Sequence, residues 1–184
     1  MPWFWIVAGP NGAGKTTLVT AGVVARAAGV DLISLNADAR TAEILAAEPD
    51  APDANLRAAS ISWWKPSCPP TNTSTISRGP LRSANRIGVI YVGLVRPEAS
   101  IRRVRQRHQR GGHDVPIDRI VARWSRSITM FGRLLPQANE VFVFDNSSTD
   151  GPVLIARKNG GQITILHPGR IPEIDAVLRA NGAD

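Results

Sequence analysis

The stretch Gly9-Pro10-Asn11-Gly12-Ala13-Gly14-Lys15-Thr16-Thr17 constrains the fold of this chain more than any other feature. It fits G-x-x-x-x-G-K-[ST], the P-loop pattern, and its flanks are those the pattern requires. The apolar run Trp3-Phe4-Trp5-Ile6-Val7-Ala8 precedes it and reads as a strand. Thr17-Leu18-Val19 and an alanine-rich segment follow, and the spacing predicts one helix over Lys15–Ala28. The glycines let backbone N–H groups curl around phosphate oxygens, and the start of the helix adds the positive end of its dipole. Lys15 can reach the β- and γ-phosphates of a nucleotide, and the Thr16 hydroxyl can ligate Mg²⁺. The motif therefore predicts ATP and Mg²⁺ as cofactors, with Gly9 to Thr17 as the binding residues. It is silent on what receives the phosphate.

The chain has 184 residues, enough for one α/β domain with a core of its own. No apolar run approaches the length of a membrane span. The first residues pass straight into a strand without a basic n-region, which predicts no signal peptide and a cytoplasmic location. A single cysteine, Cys68, excludes an internal disulfide framework and a cysteine-built metal site.

The net charge is +7, and arginine supplies nearly all of it. Ten arginines lie between Arg96 and Arg133, against three acids, Glu98, Asp114 and Asp118. A basic run of this kind serves either nucleic acid or a polyphosphate site. Aromatic residues do not interleave with these arginines as a base-stacking surface would need. The planar guanidinium fork suits phosphate oxygens, so a local phosphate site is favoured over nucleic acid.

The rest of the chain alternates. Asp31–Leu35 is a short apolar run ending at Asn36-Ala37-Asp38, and Ala39–Glu48 reads as a short helix. Arg86–Val95 is β-branched and nearly continuous, as in a strand buried on both faces of a parallel sheet. Pro97 opens a helix that runs to about Arg110. Gly111-Gly112-His113-Asp114-Val115-Pro116 is a loop, followed by a helix over Ile117–Leu135. Val141–Phe144 is another strand, ended by Asp145-Asn146-Ser147. Val153–Arg157 and Gln162–Leu166 flank Asn159-Gly160-Gly161 as a hairpin. A last helix spans about Ile171–Ala180. This order predicts one α/β domain over residues 1–184. It is a P-loop NTPase-type parallel sheet with helices on both faces and a C-terminal hairpin and helix.

Several stretches together resemble the zeta toxin family of P-loop kinases, in its short chromosomal form. They are the Gly9–Thr17 loop, Leu35-Asn36-Ala37-Asp38, Tyr91-Val92-Gly93-Leu94, Arg107–Pro116, Arg123-Trp124-Ser125-Arg126-Ser127 and Phe144-Asp145-Asn146-Ser147. The resemblance implies ATP-dependent phosphorylation of a small hydroxyl substrate. UDP-N-acetylglucosamine, modified on a sugar hydroxyl, is the family's best-known acceptor, and an antitoxin protein is an expected partner. By analogy Asp38 is the base that accepts the hydroxyl proton, the alternative being a helix N-cap. Arg110, Arg123 and Arg126 are the candidates to clamp the moving phosphoryl. Arg123 and Arg126 are three apart and share a helix face. His113 and Asp114 are too few for a metal site. Asp145 either contacts Mg²⁺ or the adenine side, or closes an Asx-turn with Asn146 and Ser147. Other acceptors, such as an antibiotic or a nucleoside, fit the same scaffold. So do a nucleotide-binding protein without transfer and a basic nucleic-acid-binding ATPase.

Ile61–Ala84 departs from the pattern, with prolines where a strand and a helix belong. Family members carry there a strand ending in a Val-Glu-Thr-type motif that helps form the acceptor pocket. A compensated frameshift accounts for this as a hypothesis. Joining the last base of each codon to the first two of the next forces valine at Trp64 and glutamate at Lys65. It permits a threonine and a leucine soon after. Resequencing the coding DNA over Ile61–Ala84 tests it, because bases that cannot spell the alternate string exclude it. If the segment is genuine, nucleotide binding survives while transfer to the usual acceptor fails.

Overall fold

The computed structural model describes residues 3–28, 86–109 and 115–183. Five strands form one sheet: β1 (Trp3–Ala8), β2 (Arg86–Gly93), β3 (Glu140–Asp145), β4 (Val153–Asn159) and β5 (Gln162–Ile165), paired in that order. β1, β2 and β3 run parallel, and β4 and β5 return antiparallel. The helices are α1 (Lys15–Thr20), α2 (Val23–Ala28), α3 (Pro97–Gln109), α4 (Ile117–Leu134) and α5 (Pro172–Ala180). A short 3-10 turn, Leu135–Gln137, ends α4.

Alternation along each central strand divides the core in two. Ile6 and Ala8, Val89 and Tyr91, and Val141 and Val143 point to one face, where Trp124, Ile128 and Phe131 of α4 and Ile174 and Leu178 of α5 cover them. Trp5 and Val7, Ile90 and Val92, and Phe144 point to the other. There Leu18 of α1 and Ala99 of α3 pack, with Ala13 of the glycine loop. Both faces are thus covered, as the near-continuous apolar runs of β2 and β3 require. Among the described residues the fold expected from the sequence is the fold observed, down to the C-terminal hairpin turning at Gly160 and Gly161, while the Asp31–Leu35 run and the Ala39–Glu48 helix lie outside them.

One expected element needs correction. The helix predicted over Lys15–Ala28 is two helices, broken at Gly22, whose φ is +67°. The Gly22 N–H bonds to the Val19 carbonyl at 3.0 Å, an i−3 closure that ends the first helix. Alanine-rich composition favours an unbroken helix, and the break depends on a backbone conformation that glycine enters without a steric penalty.

Lys158 and Tyr91 are the notable polar groups inside. Lys158 Nζ donates to the carbonyls of Leu135 and Ala138, both at 2.8 Å, and so satisfies acceptors where α4 ends. Burial lowers its pKa below the usual lysine range. Tyr91 is the sole tyrosine and is almost wholly buried, with its hydroxyl 2.9 Å from Ser127 Oγ. Burial pushes the phenol well above the usual tyrosine range, an effect the Ser127 bond only partly offsets.

A raised phenol pKa means that the folded state favours the neutral form. The resulting stabilisation is complete below the ordinary tyrosine pKa of about 10 and is lost as pH climbs through it towards the folded value. Because Tyr91 is the sole tyrosine, an alkaline titration of phenolate absorbance reads it directly. The phenolate band should stay absent past about pH 10 and appear together with loss of the folded circular dichroism signal. Ionisation at the ordinary pKa in the folded protein would refute the buried setting.

Candidate phosphate-binding site

The parallel strands β1, β2 and β3 end on one edge of the sheet, at Ala8, Gly93 and Asp145. Ligands gather on this edge in open α/β sheets. The loop from Gly9 to Gly14 leaves β1 there and enters α1. Gly9, Gly12 and Gly14 have φ of +142°, +72° and +85°, the region that favours glycine. Space demands glycine at Gly9 as well, and at Gly14 a side chain would displace the Asn146 amide. A Cβ at Gly9 would stand 2.1 Å from the Val92 carbonyl oxygen, and one at Gly14 would stand 2.6 Å from Asn146 Nδ2.

The polar groups of the loop divide by type. Its carbonyls are engaged by side chains. Lys15 Nζ donates to the oxygens of Gly9 (2.8 Å) and Pro10 (2.9 Å). Ser100 Oγ donates to Asn11 O at 2.5 Å, an Arg103 Nη donates to Gly12 O at 3.2 Å, and Asn146 Nδ2 donates to Ala13 O at 2.8 Å. The N–H groups behave in the opposite way. Among the described residues, those of Gly12, Gly14, Thr16 and Thr17 donate to no acceptor. Thr16 is exposed, and its hydroxyl makes no hydrogen bond to a described residue. The result is a concentration of unmet donors beside an ammonium group, the arrangement of an anion-binding nest.

The neighbouring loops are tied to one another. The second Nη of Arg103 donates to Asn146 O at 2.7 Å. Asp145 is buried, and its Oδ1 accepts from the N–H (2.9 Å) and hydroxyl (2.5 Å) of Ser147. Its Oδ2 pairs with Arg170 at 3.2 Å. The Ser147 hydroxyl oxygen in turn accepts from the Val95 N–H at 2.8 Å. Of the two roles open to Asp145, the structure displays the Asx-turn. Trp124 Nε1 donates to Leu94 O at 3.1 Å, which holds the first half of α4 at the same sheet edge.

Gly9 to Thr17 are thus brought together as the sequence predicted. Arg123 is half-buried and Arg126 exposed on α4, and among the described residues neither forms a hydrogen bond or ion pair. Asp38, Arg110, His113 and Asp114, and the segment Ile61–Ala84, lie outside the described residues. Sequence reasoning did not single out Ser100 or Arg103. Their signal was faint: a serine fully buried within α3, and an arginine three residues later on the same helix face.

No family model matches the chain, and no curated protein matches it. Solved structures do. A crystal structure of AvrRxo1-ORF1:-ORF2 with ATP aligns with a TM-score of 0.57 at 17% identity, over 91% of this chain and 61% of that one. The AvrRxo1-ORF1:AvrRxo1-ORF2 structure with sulphate ions aligns with a TM-score of 0.52 at 16% identity, over 91% and 62%. The native complex aligns with a TM-score of 0.51 at 15% identity, over 100% and 71%. The chain therefore spans less than two thirds of the first two neighbours' length. At these identities the likeness establishes a shared fold: a mixed α/β sheet, parallel from β1 to β3 and antiparallel beyond, flanked by helices.

Proposed function

We propose that this protein binds Mg·ATP through the Gly9–Thr17 loop and transfers the γ-phosphoryl group to a hydroxyl of a small molecule. The observation that carries this reading is the loop itself. Four N–H groups without acceptors and the Lys15 ammonium are gathered at the sheet edge. Such a set fits polyphosphate by charge, donor count and curvature. The ATP-bound fold neighbour is consistent with it. The exposed, unengaged Thr16 hydroxyl fits a Mg²⁺ ligand. When bound, Mg·ATP supplies the phosphoryl group and its electrophilic phosphorus.

In this reading the N–H groups of Gly12, Gly14, Thr16 and Thr17 hold the phosphate oxygens, and Lys15 offsets their charge. Asp38 accepts the proton of the acceptor hydroxyl. Arg110, Arg123 and Arg126 supply cations to the transferring group. Among the described residues no bond engages Arg123 or Arg126, in keeping with that role. The resemblance to zeta toxins makes a sugar nucleotide, UDP-N-acetylglucosamine first, the acceptor of choice. It also makes an antitoxin protein the expected partner. The fold neighbours, each a complex of two proteins, are in keeping with that partner. Among the described residues no helix is long and apolar enough to cross a membrane.

The test is ADP release with and without acceptor. Release should be stimulated by UDP-N-acetylglucosamine or another sugar nucleotide, and the stimulation should fall by about a hundredfold or more in Asp38→Ala, the scale of a lost general base. Stimulation that survives the Asp38 change would remove Asp38 from the mechanism. Saturable ATP binding without release on any acceptor would leave a nucleotide-binding protein lacking transfer.

A further inference from the structure

We infer that Ser100, Arg103 and Asn146 act as positioning residues of the nucleotide site, with Arg103 as the central member, by holding the loop's peptide planes with their N–H groups turned towards the phosphates. The inference rests on the phosphate-binding reading above and adds to it the device that shapes the cradle.

The peptide unit is planar and trans, so its C=O and N–H point in opposite directions. Fixing the oxygen of one unit therefore aims the N–H of the same unit. The Asn11–Gly12 unit has its oxygen held by Ser100, and its other end is the Gly12 N–H, which meets no acceptor. The Ala13–Gly14 unit has its oxygen held by Asn146, and its other end is the unmet Gly14 N–H. Between them the Gly12–Ala13 unit has its oxygen held by Arg103, while its N–H turns back onto Pro10 O at 3.3 Å. Three consecutive carbonyls are thus taken by three side chains from distant parts of the chain. Two of the N–H groups they orient are the ones left open.

Arg103 joins the two halves of this clasp. One Nη holds Gly12 O and the other holds Asn146 O, so the fork fixes the backbone of the residue whose side chain holds Ala13 O. A lysine at this position would carry the charge but could not span both carbonyls in one rigid plane. The fit is close on the loop side. A Cβ at Gly12 would meet Arg103 Cβ at 3.2 Å and Ser100 O at 3.3 Å, tight contacts where α3 lies against the loop, and the φ of +72° there favours glycine. Arg102, by contrast, is exposed and forms no bond among the described residues, although the sequence gives it the same charge one residue away.

The test compares ATP dissociation constants and thermal midpoints for the wild type, Lys15→Ala, Arg102→Ala, Arg103→Ala, Arg103→Lys and Asn146→Ala. The clasp predicts that Arg103→Ala and Arg103→Lys each weaken ATP binding about tenfold or more. Arg102→Ala should bind as the wild type does. It also predicts that methylguanidinium restores part of the affinity of Arg103→Ala, which a general loss of folding would not allow. Wild-type affinity in Arg103→Lys and Arg103→Ala, with binding abolished by Lys15→Ala, overturns the clasp and leaves the phosphate site standing. A wild-type protein that does not bind ATP overturns both. If Arg103→Ala fails to fold, Asn146→Ala decides, because it removes only the bond to Ala13 O. An unchanged constant rejects the proposal, and a tenfold rise at an unchanged midpoint supports it.

Discussion

Lys15→Ala is expected to lower ATP-dependent turnover by about a hundredfold or more, the scale of losing one preorganised charge partner of a phosphoryl or oxyanion group. Two effects combine. The ammonium is the cation that the loop places among its unmet N–H donors, so its loss removes charge compensation for phosphate. It also ties Gly9 O and Pro10 O to the first turn of α1, so its loss releases two carbonyls of the loop itself. The thermal midpoint should fall as well, because the two carbonyls lose their donor. Steady-state ADP release and a melting curve measured on the same sample separate the two readouts. A variant that turns over ATP at the wild-type rate would contradict the assignment.

Gly9→Ala is expected to damage the fold as well as the site. The added Cβ would stand 2.1 Å from Val92 O and 3.1 Å from Val92 C, where ordinary van der Waals contact begins at 3.4 Å. Val92 is fully buried in the central strand β2, paired on both sides, so the obstacle is backbone that cannot step aside. The φ of +142° adds strain for any side chain. Together these place the cost at about 3 kcal/mol or more, among the larger single-substitution effects. Denaturant unfolding should read this directly. A stability within about 1 kcal/mol of wild type would mean that the close approach of β1 and β2 at the loop is misplaced.

The parts of the molecule legible in the sequence are those where local chemistry has few alternatives. A strand that enters Gly9, Gly12 and Gly14 and leaves through Lys15 and Thr16 has one familiar solution, because each glycine answers a backbone requirement. β2 and β3 announce themselves by unbroken β-branched and aromatic runs, and the Asn159-Gly160-Gly161 turn by its dihedral needs. The break at Gly22 was less legible, since a lone glycine in an alanine-rich stretch reads as a tolerated helix residue. The clasp was illegible for a different reason. Ser100, Arg103 and Asn146 meet the loop across 89, 91 and 133 residues of chain. Nothing local distinguishes Arg103 from Arg102. Only the phase of α3, set by Ala99, Ser100 and Val104 turning inward, directs one guanidinium to the loop and the other to solvent. Asp145 illustrates a third situation, in which the sequence allowed two roles and Ser147 and Arg170 account for both carboxylate oxygens.

The central claim is that the Gly9–Thr17 loop binds the β- and γ-phosphates of ATP, and a calorimetric titration with ATP and with AMP in the presence of Mg²⁺ tests it most directly. Saturable ATP binding at one site is expected, tighter than AMP by about a hundredfold or more, since AMP offers the cradle a single phosphate. ATP and AMP binding alike, or no ATP binding at all, would contradict it.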